Sequence, residues 1–215
     1  MTYQDNFQKW LDYAELPDYL REDLNSMDEK TKEDAFYTNL EFGTAGMRGL
    51  IGAGTNRINI YVVRQATEGL ARLIEEKGDE FKKRGVAIAY DSRHFSPEFA
   101  FESAAVLAKH GIKSYVFESL RPTPEISFAV RHLGTFAGIM ITASHNPAPF
   151  NGYKVYGEDG GQMPPHDADA LTDYIRAIEN PFALEIADVE AEKASGLIEV
   201  IGDAIDAEYL KEVKD

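Results

Sequence analysis

The residues best suited to chemistry lie in one polar stretch of the chain, from Thr142 to Lys154. This stretch follows Phe136–Ile141, a short apolar run that is typical of a buried strand. Two prolines and an Asn-Gly pair follow and disfavour regular structure, which predicts that Ser144 lies on a tight loop at the end of that strand. Because open α/β sheets bind ligands just outside the carboxyl ends of their strands, Ser144 is a candidate nucleophile with a cation nearby on Lys154.

A second candidate is the glycine-rich segment at residues 43–55, which contains five glycines. Glycine permits left-handed backbone conformations and lets a ligand approach the main chain closely. Arg48 and Arg57 add cations to this segment. Its spacing matches neither the Walker A pattern nor the dinucleotide-binding fingerprint, so a flexible hairpin turn and a ligand-binding loop both remain open.

The elements that must position these residues follow an α/β pattern. From residue 59 to residue 178, strand-like apolar runs alternate with amphipathic helical segments. This alternation predicts a three-layer α/β/α domain with a mixed, mostly parallel sheet. Tyr153–Tyr156 is expected to be its final short strand, antiparallel to the strand before it. Apolar residues at helical spacing between residues 3 and 38 predict an N-terminal helical extension, which we place at residues 1–40, ahead of the domain at 41–181.

Charge and composition limit the possible partners. The 215-residue chain has a formal net charge of −15, and its acidity is concentrated in residues 1–40 and 185–215. Such a chain is expected to bind neither nucleic acid nor an anionic membrane, although local Arg and Lys can still hold a small anionic substrate. The absence of cysteine excludes disulfides and thiol catalysis and agrees with a cytoplasmic location.

Other polar residues admit more than one interpretation. Asp91 and Arg93 follow a predicted strand and form either a salt-bridged turn or a direct contact with substrate. The remaining histidines lack the spacing of metal ligands. A serine hydrolase would require a Gly-x-Ser-x-Gly elbow, and the sequence around Ser144 does not match it.

Five motifs occur in order along the chain and carry a family resemblance: Phe42–Gly49, Tyr90–Arg93, Pro122–Glu125, Thr142–Pro147 and Asn151–Lys154. Together they resemble the first domain of the α-D-phosphohexomutases, the family of phosphoglucomutase and phosphomannomutase. The resemblance covers about residues 40–180. The long N-terminal extension and the Phe-Gly-Thr-Ala-Gly form are most similar to the bacterial phosphoglucomutase/phosphopentomutase branch.

The resemblance implies a mechanism and a set of site residues. Ser144 would carry a phosphoryl group and donate it to a sugar phosphate, giving a bisphosphate intermediate. Lys154 and Arg48 would assist proton transfer and bind phosphate, while His145 would shape the loop and contact the phosphoryl group. The implied substrate- and phosphate-binding residues are Thr44, Arg48, Ser144, His145, Asn146 and Lys154.

The resemblance also implies cofactors and further domains. Mg²⁺ would bind Ser144 and an aspartate loop of a second domain, and glucose 1,6-bisphosphate would act as the activator. Residues 182–215 are expected to be a linker and the truncated start of domain II, so the chain would be inactive without domains II–IV. We expect a phosphoglucomutase that interconverts glucose 1-phosphate and glucose 6-phosphate. The alternatives are a phosphomannomutase, a phosphopentomutase or a non-catalytic phosphosugar-binding module.

Overall fold

The computed structural model of the chain describes residues 2–43 and 46–214. In the described residues the strands are β1 (Met47–Leu50), β2 (Val86–Tyr90), β3 (Ser114–Phe117), β4 (Ala137–Ile141), β5 (Phe150–Tyr156) and β6 (Ile198–Ile201). The α-helices there are α1 (Tyr3–Leu11), α2 (Asp18–Ser26), α3 (Glu29–Phe36), α4 (Ile60–Lys77), α5 (Asp79–Arg84), α6 (Ser96–Lys109), α7 (Thr123–Leu133), α8 (Pro165–Arg176), α9 (Val189–Ser195) and α10 (Asp203–Lys214). A short 3₁₀ helix covers Pro181–Ala183.

The strands form one mixed sheet in the order β1-β5-β4-β2-β3-β6. β4, β2, β3 and β6 are parallel, whereas β5 runs antiparallel to both β4 and β1. The predicted mixed, mostly parallel sheet and the antiparallel pairing of β5 with β4 are therefore confirmed, but β5 is not the final strand, because β6 follows it. β5 is longer than predicted and begins at Phe150, so Asn151–Gly152 lies within a strand, not in a turn.

Helices cover both faces of the sheet, as the alternating pattern predicts. On one face, α4, α6 and α8 pack over a large core that includes Leu70, Leu107 and Ile139. On the other face, α7 and α10 enclose a smaller core around Ile126 and Met140. Each face of the sheet is thereby buried beneath helices, which is the arrangement of a three-layer α/β/α domain.

The N-terminal extension is also confirmed, and the glycine-rich segment explains how it docks. Helices α1–α3 form their own apolar cluster, which packs on Tyr61 of α4. The carboxylate of Asp23 accepts a hydrogen bond from the Ala53 amide at 2.7 Å. Gly54 has a φ of 133°, and a Cβ at this position would lie 2.5 Å from the carbonyl oxygen of Ala35, so only glycine fits this contact.

The glycine-rich segment is neither a simple flexible hairpin nor one continuous ligand loop. Its middle, Met47–Leu50, is strand β1 and pairs with β5. At the other edge of the sheet, β6 pairs with β3, and α10 packs against α7. The assignment of residues 182–215 to a linker and the start of a second domain, and the boundary at residue 40, stay predictions.

Candidate active site

The candidate site lies at the carboxyl edge of the sheet, where β2 and β4 are neighbours. The chain leaves β2 towards β3 on one side and leaves β4 towards β5 on the other. Adjacent parallel strands whose connections diverge leave a crevice between their loops, and open α/β sheets bind ligands there. The two loops that meet at this crevice are Asp91–Phe95 after β2 and Thr142–Pro149 after β4.

Ser144 lies exposed on the β4 loop in a left-handed conformation, with φ 55°. Phe95 of the β2 loop has a φ of 62°, and these are the two non-glycine residues with positive φ among the described residues. A non-glycine residue in this region costs of order 1–3 kcal/mol and persists only where its surroundings hold it. In the part of the chain that the structure describes, both non-glycine residues with a positive φ therefore lie in the two loops that form the crevice.

A relay of hydrogen bonds connects the two loops through the amide of Ser144. The Ser144 N–H donates to the hydroxyl of Thr142 at 3.0 Å. That hydroxyl in turn donates to the carboxylate of Asp91 at 2.6 Å. The same carboxylate accepts from the Arg93 amide at 3.0 Å and from the hydroxyl of Ser96 at 3.1 Å. Asp91 is thus fully engaged in holding the loops.

Arg93 holds the opposite side of the serine loop. Its guanidinium donates to the carbonyl oxygens of Ser144 at 2.9 Å and Asn146 at 2.7 Å. It also donates to those of Pro147 at 3.0 Å and Phe150 at 2.8 Å. One side chain therefore binds four carbonyl groups, three in the irregular loop and the fourth at the start of β5.

Arg48 approaches the serine loop from β1. Its guanidinium donates to the side-chain oxygen of Asn146 at 2.7 Å. In the β1–β5 register Arg48 is opposite Gly152, and Lys154 lies two residues further along β5. Arg48 and Lys154 are consequently diagonal neighbours on one face of the sheet, a relationship that typically separates Cα atoms by about 7–8 Å.

Lys154 is half-buried, and among the described residues it makes no ion pair. It lines a shallow depression with Tyr156 and Gln162. Ser144 opens into a different depression, which Arg93, His94 and Asn146 also line. The structure therefore brings Arg48 and Asn146 into contact on the serine loop, while Lys154 lies on the neighbouring strand.

The other predicted site residues are His145 and Thr44. The Nδ1 atom of His145 lies 3.4 Å from the hydroxyl oxygen of Ser144, which is longer than an ordinary hydrogen bond. The exposed imidazole nevertheless points towards the hydroxyl, although adjacent residues usually diverge. Thr44 lies outside the described residues.

Sequence reasoning did not single out Thr142 and Asn151 as individual site residues. The side chain of Asn151 is fully buried, and its amide donates to the carbonyl oxygen of His94 and the hydroxyl of Ser96, each at 3.0 Å. It thereby joins the start of β5 to the β2 loop. The sequence feature that could have identified such residues is the polar residues next to the apolar strand runs. Because the ends of neighbouring strands meet at one edge of a sheet, these polar residues are brought together there.

Among residues 2–43 and 46–214, no group of three or more His, Asp or Glu side chains is arranged to hold a metal ion. An oxygen at the crevice that could serve as a metal ligand is the exposed hydroxyl of Ser144. The described helices include none with the length and apolar content that a membrane crossing requires.

Comparison with known proteins identifies the family. Residues 39–182 match the family described as phosphoglucomutase/phosphomannomutase, alpha/beta/alpha domain I. The chain belongs to this family. The Ser144 loop, the β2 loop and strand β1 all fall inside the matched region.

Relatives of this phosphohexomutase domain are named phosphoglucomutases. The chain is 42% identical to one from Staphylococcus saprophyticus over 86% of its own length and 33% of that protein. It is 38% identical to one from Staphylococcus epidermidis over 96% of its own length and 37% of that protein. The chain thus spans about a third of the length of these relatives.

A solved structure gives the same result for the fold. A Thermus thermophilus protein assigned as a phosphomannomutase superposes with a TM-score of 0.57 at 32% identity. The match covers 64% of this chain and 30% of that protein. The three-layer α/β/α architecture is therefore shared with a structurally characterised relative.

Proposed function

We propose that this chain is the phosphoserine-bearing domain of a phosphoglucomutase and that Ser144 is the residue phosphorylated. The observation that carries the proposal is the conformation of Ser144. Ser144 is exposed at the crevice between the β2 and β4 loops. Its backbone is held in a left-handed conformation by two hydrogen bonds, one that its N–H donates to Thr142 and one that its carbonyl oxygen accepts from Arg93. A fixed, exposed hydroxyl suits phosphoryl transfer, which depends mainly on positioning and charge stabilisation.

The proposed reaction moves a phosphoryl group twice. The 6-hydroxyl oxygen of glucose 1-phosphate attacks the phosphorus on Ser144, the bond from phosphorus to Oγ breaks, and the proton of the attacking hydroxyl is transferred to the departing Oγ. The resulting 1,6-bisphosphate turns over in the site. The Ser144 oxygen then accepts the 1-phosphoryl group, and the released 1-oxygen takes up a proton, which leaves glucose 6-phosphate and phosphorylated Ser144.

The cations around the loop would stabilise the charge that this reaction concentrates. A phosphoserine carries a charge of about −1.5 to −2 and three acceptor oxygens. Arg48 is exposed and contacts the loop through Asn146, which places a charged donor beside it. We assign phosphate binding and assistance in proton transfer to Arg48 and Lys154, and contact with the phosphoryl group to His145.

We further propose Mg²⁺ as the metal, with Ser144 as its one ligand from the described residues. An exposed hydroxyl or phosphoryl oxygen is a hard donor of the kind that Mg²⁺ prefers. When bound, the ion would neutralise negative charge on the phosphoryl group. The remaining ligands would come from an aspartate loop in a later part of the polypeptide, and glucose 1,6-bisphosphate would supply the first phosphoryl group.

The choice of sugar rests on the relatives' names. Relatives at 38–42% identity are named phosphoglucomutase, which favours glucose phosphates over mannose or pentose phosphates. Because the chain spans about a third of these relatives, we propose that the activity requires three further domains of the same polypeptide. The cytoplasmic location expected from the absence of cysteine stays a prediction.

The test is a comparison of wild type and Ser144→Ala in the complete gene product, assayed for conversion of glucose 1-phosphate to glucose 6-phosphate with Mg²⁺ present. We expect Ser144→Ala to lose activity by at least about 10⁴-fold with unchanged circular dichroism, because alanine has no oxygen to accept the phosphoryl group. Activity within a few-fold of wild type would overturn the proposed mechanism. Wild-type protein that binds sugar phosphate without converting it would support the non-catalytic alternative.

A further inference from the structure

We infer that Arg93, braced by Asp91, is a positioning residue that sets the conformation of the nucleophilic serine and does not bind substrate. The inference rests on the proposed function, since it concerns how Ser144 is held for phosphoryl transfer. Sequence reasoning left two interpretations of these residues open, a salt-bridged turn and a direct contact with substrate.

The hydrogen-bonding capacity of Arg93 decides against a contact with substrate. A guanidinium has five N–H donors and no acceptor. Both terminal nitrogens donate to loop carbonyls, Nη1 to Pro147 and Phe150 and Nη2 to Ser144 and Asn146. The remaining nitrogen, Nε, lies 3.5 Å from the carboxylate of Asp91. The four terminal N–H donors are therefore all bound to the loop, and the one that is left, Nε–H, lies beside the Asp91 carboxylate, whose negative charge disfavours a phosphate there.

The geometry also shows what Arg93 and Asp91 hold. Ser144 is tied at its carbonyl by Arg93, and at its N–H by Asp91 through the Thr142 hydroxyl. Both peptide groups that flank the Ser144 Cα are therefore fixed by one Asp-Ser-Arg turn. These are the two peptide groups whose orientation determines the backbone angles of Ser144, including its φ of 55°.

The side chain of Arg93 is 13% exposed and that of its partner Asp91 is 26% exposed, so most of each side chain is covered by its neighbours. The planar guanidinium reaches four carbonyl oxygens at once because its two terminal nitrogens each carry two N–H donors. The single ammonium nitrogen of lysine cannot reproduce this arrangement. Removal of the guanidinium would remove all four hydrogen bonds, and of the four carbonyls that of Pro147 would keep a backbone partner, the Phe150 N–H. The serine would then sample several orientations, and few of them would align the phosphoryl group for in-line transfer.

The test measures phosphoryl transfer per phosphorylated molecule. Complete gene product is loaded with glucose 1,6-bisphosphate, and the phosphoenzyme is mixed with glucose 1-phosphate in a quenched-flow single turnover. We expect Arg93→Ala to lower the rate constant by roughly 10²-fold, the effect of misplacing a reacting group by about 1 Å. The rate constant of Arg93→Lys is expected to lie between those of wild type and Arg93→Ala. The KM of both variants for glucose 1-phosphate should stay within threefold of the wild-type value.

A variant that only unfolds part of the sample lowers the amplitude of the single turnover but not its rate constant. Arg21→Ala is the matched control, because Arg21 donates to three carbonyls at and just after the end of α1, those of Leu11, Tyr13 and Ala14. It should leave the rate constant unchanged. If Arg93→Ala does not fold, Thr142→Val removes one hydroxyl of the relay, while Thr142→Ser retains it. We then expect the single-turnover rate constant to fall for Thr142→Val and to stay near the wild-type value for Thr142→Ser.

The outcomes are distinguishable. A rate constant for Arg93→Ala within threefold of wild type would overturn the inference, as would equal rates for Thr142→Val and Thr142→Ser. A KM raised more than tenfold with an unchanged rate constant would show a direct substrate contact and would also overturn it. Wild-type protein that takes up no phosphate at Ser144 would overturn the proposed function, and the inference with it.

Discussion

Arg48 donates a hydrogen bond of 2.7 Å to the side-chain oxygen of Asn146, a residue 98 positions later in the chain. This contact joins the edge strand β1 to the loop that carries Ser144. It places a permanently charged group beside the candidate nucleophile, although Arg48 itself is exposed. The contact therefore gives a structural role to a basic residue that the sequence places in a glycine-rich segment.

The first prediction concerns this pair. Arg48→Ala should slow phosphoryl transfer by roughly 10²-fold, because it removes a charged donor near the developing phosphoryl charge. Asn146→Ala should slow the transfer less than Arg48→Ala does, because the charged guanidinium of Arg48 is still present. Single turnovers of both single variants and the double variant measure their coupling. Losses that simply add in free energy would show that the Arg48–Asn146 contact has no part in catalysis.

The second prediction concerns the backbone of Ser144. Glycine adopts a positive φ without the steric cost that a Cβ imposes there, although it loses more chain entropy on folding. Ser144→Gly should therefore be more stable than Ser144→Ala by about 0.5–1 kcal/mol in urea unfolding. Equal stability, or a less stable glycine variant, would contradict the strain assigned to the φ of 55°.

The third prediction concerns pH and the buried carboxyl of Glu125 at the start of α7. Burial and the neighbouring carboxyl of Asp206 raise the pKa of Glu125 from its usual value to about 7. Its Oε1 atom is buried without a hydrogen-bond partner among the described residues. Because the folded state binds this proton more tightly than the unfolded chain does, the contribution of Glu125 to stability is lost as the pH rises through about 4.5–7.

Glu125→Gln should remove this pH-dependent loss of stability, because a neutral glutamine resembles the protonated form of Glu125. Urea midpoints measured from pH 4.5 to 8 should therefore fall less steeply for Glu125→Gln than for wild type, with the variant the more stable above pH 7. Glu212→Gln, an exposed carboxylate on α10, is the control and should follow wild type. Parallel curves for wild type and Glu125→Gln would show that Glu125 does not titrate in this range.

Much of the architecture was predictable because strand and helix patterns alternate clearly. The apolar runs that became β2 and β4 end abruptly in polar residues, and these ends mark the candidate site. Strand β1 was missed because glycine and arginine fill a segment whose pairing partner, β5, lies about a hundred residues away. Local sequence does not encode such a long-range pairing.

The Asn151–Gly152 pair shows the same limit. The dipeptide usually marks a turn, yet here both residues lie in β5. A Cβ on Gly152 would lie 2.5 Å from the carbonyl oxygen of Thr142, so the strand requires glycine for close packing at this position. The role of Arg93 was unpredictable for a related reason, because its four carbonyl partners are defined only when the β2 and β4 loops meet.

The most direct test of the central claim is the phosphorylation state of Ser144. Complete gene product is incubated with Mg²⁺ and glucose 1,6-bisphosphate, and its mass is measured before and after, followed by peptide mapping of residues 142–154. We predict one added phosphoryl group, located on Ser144 and absent from Ser144→Ala. With excess glucose 1-phosphate that carries a labelled phosphoryl group, the label should appear on Ser144 while the enzyme keeps one phosphoryl group. A protein that carries no phosphate either before or after the incubation, or that carries it on another residue, would contradict the assignment of Ser144 as the nucleophile.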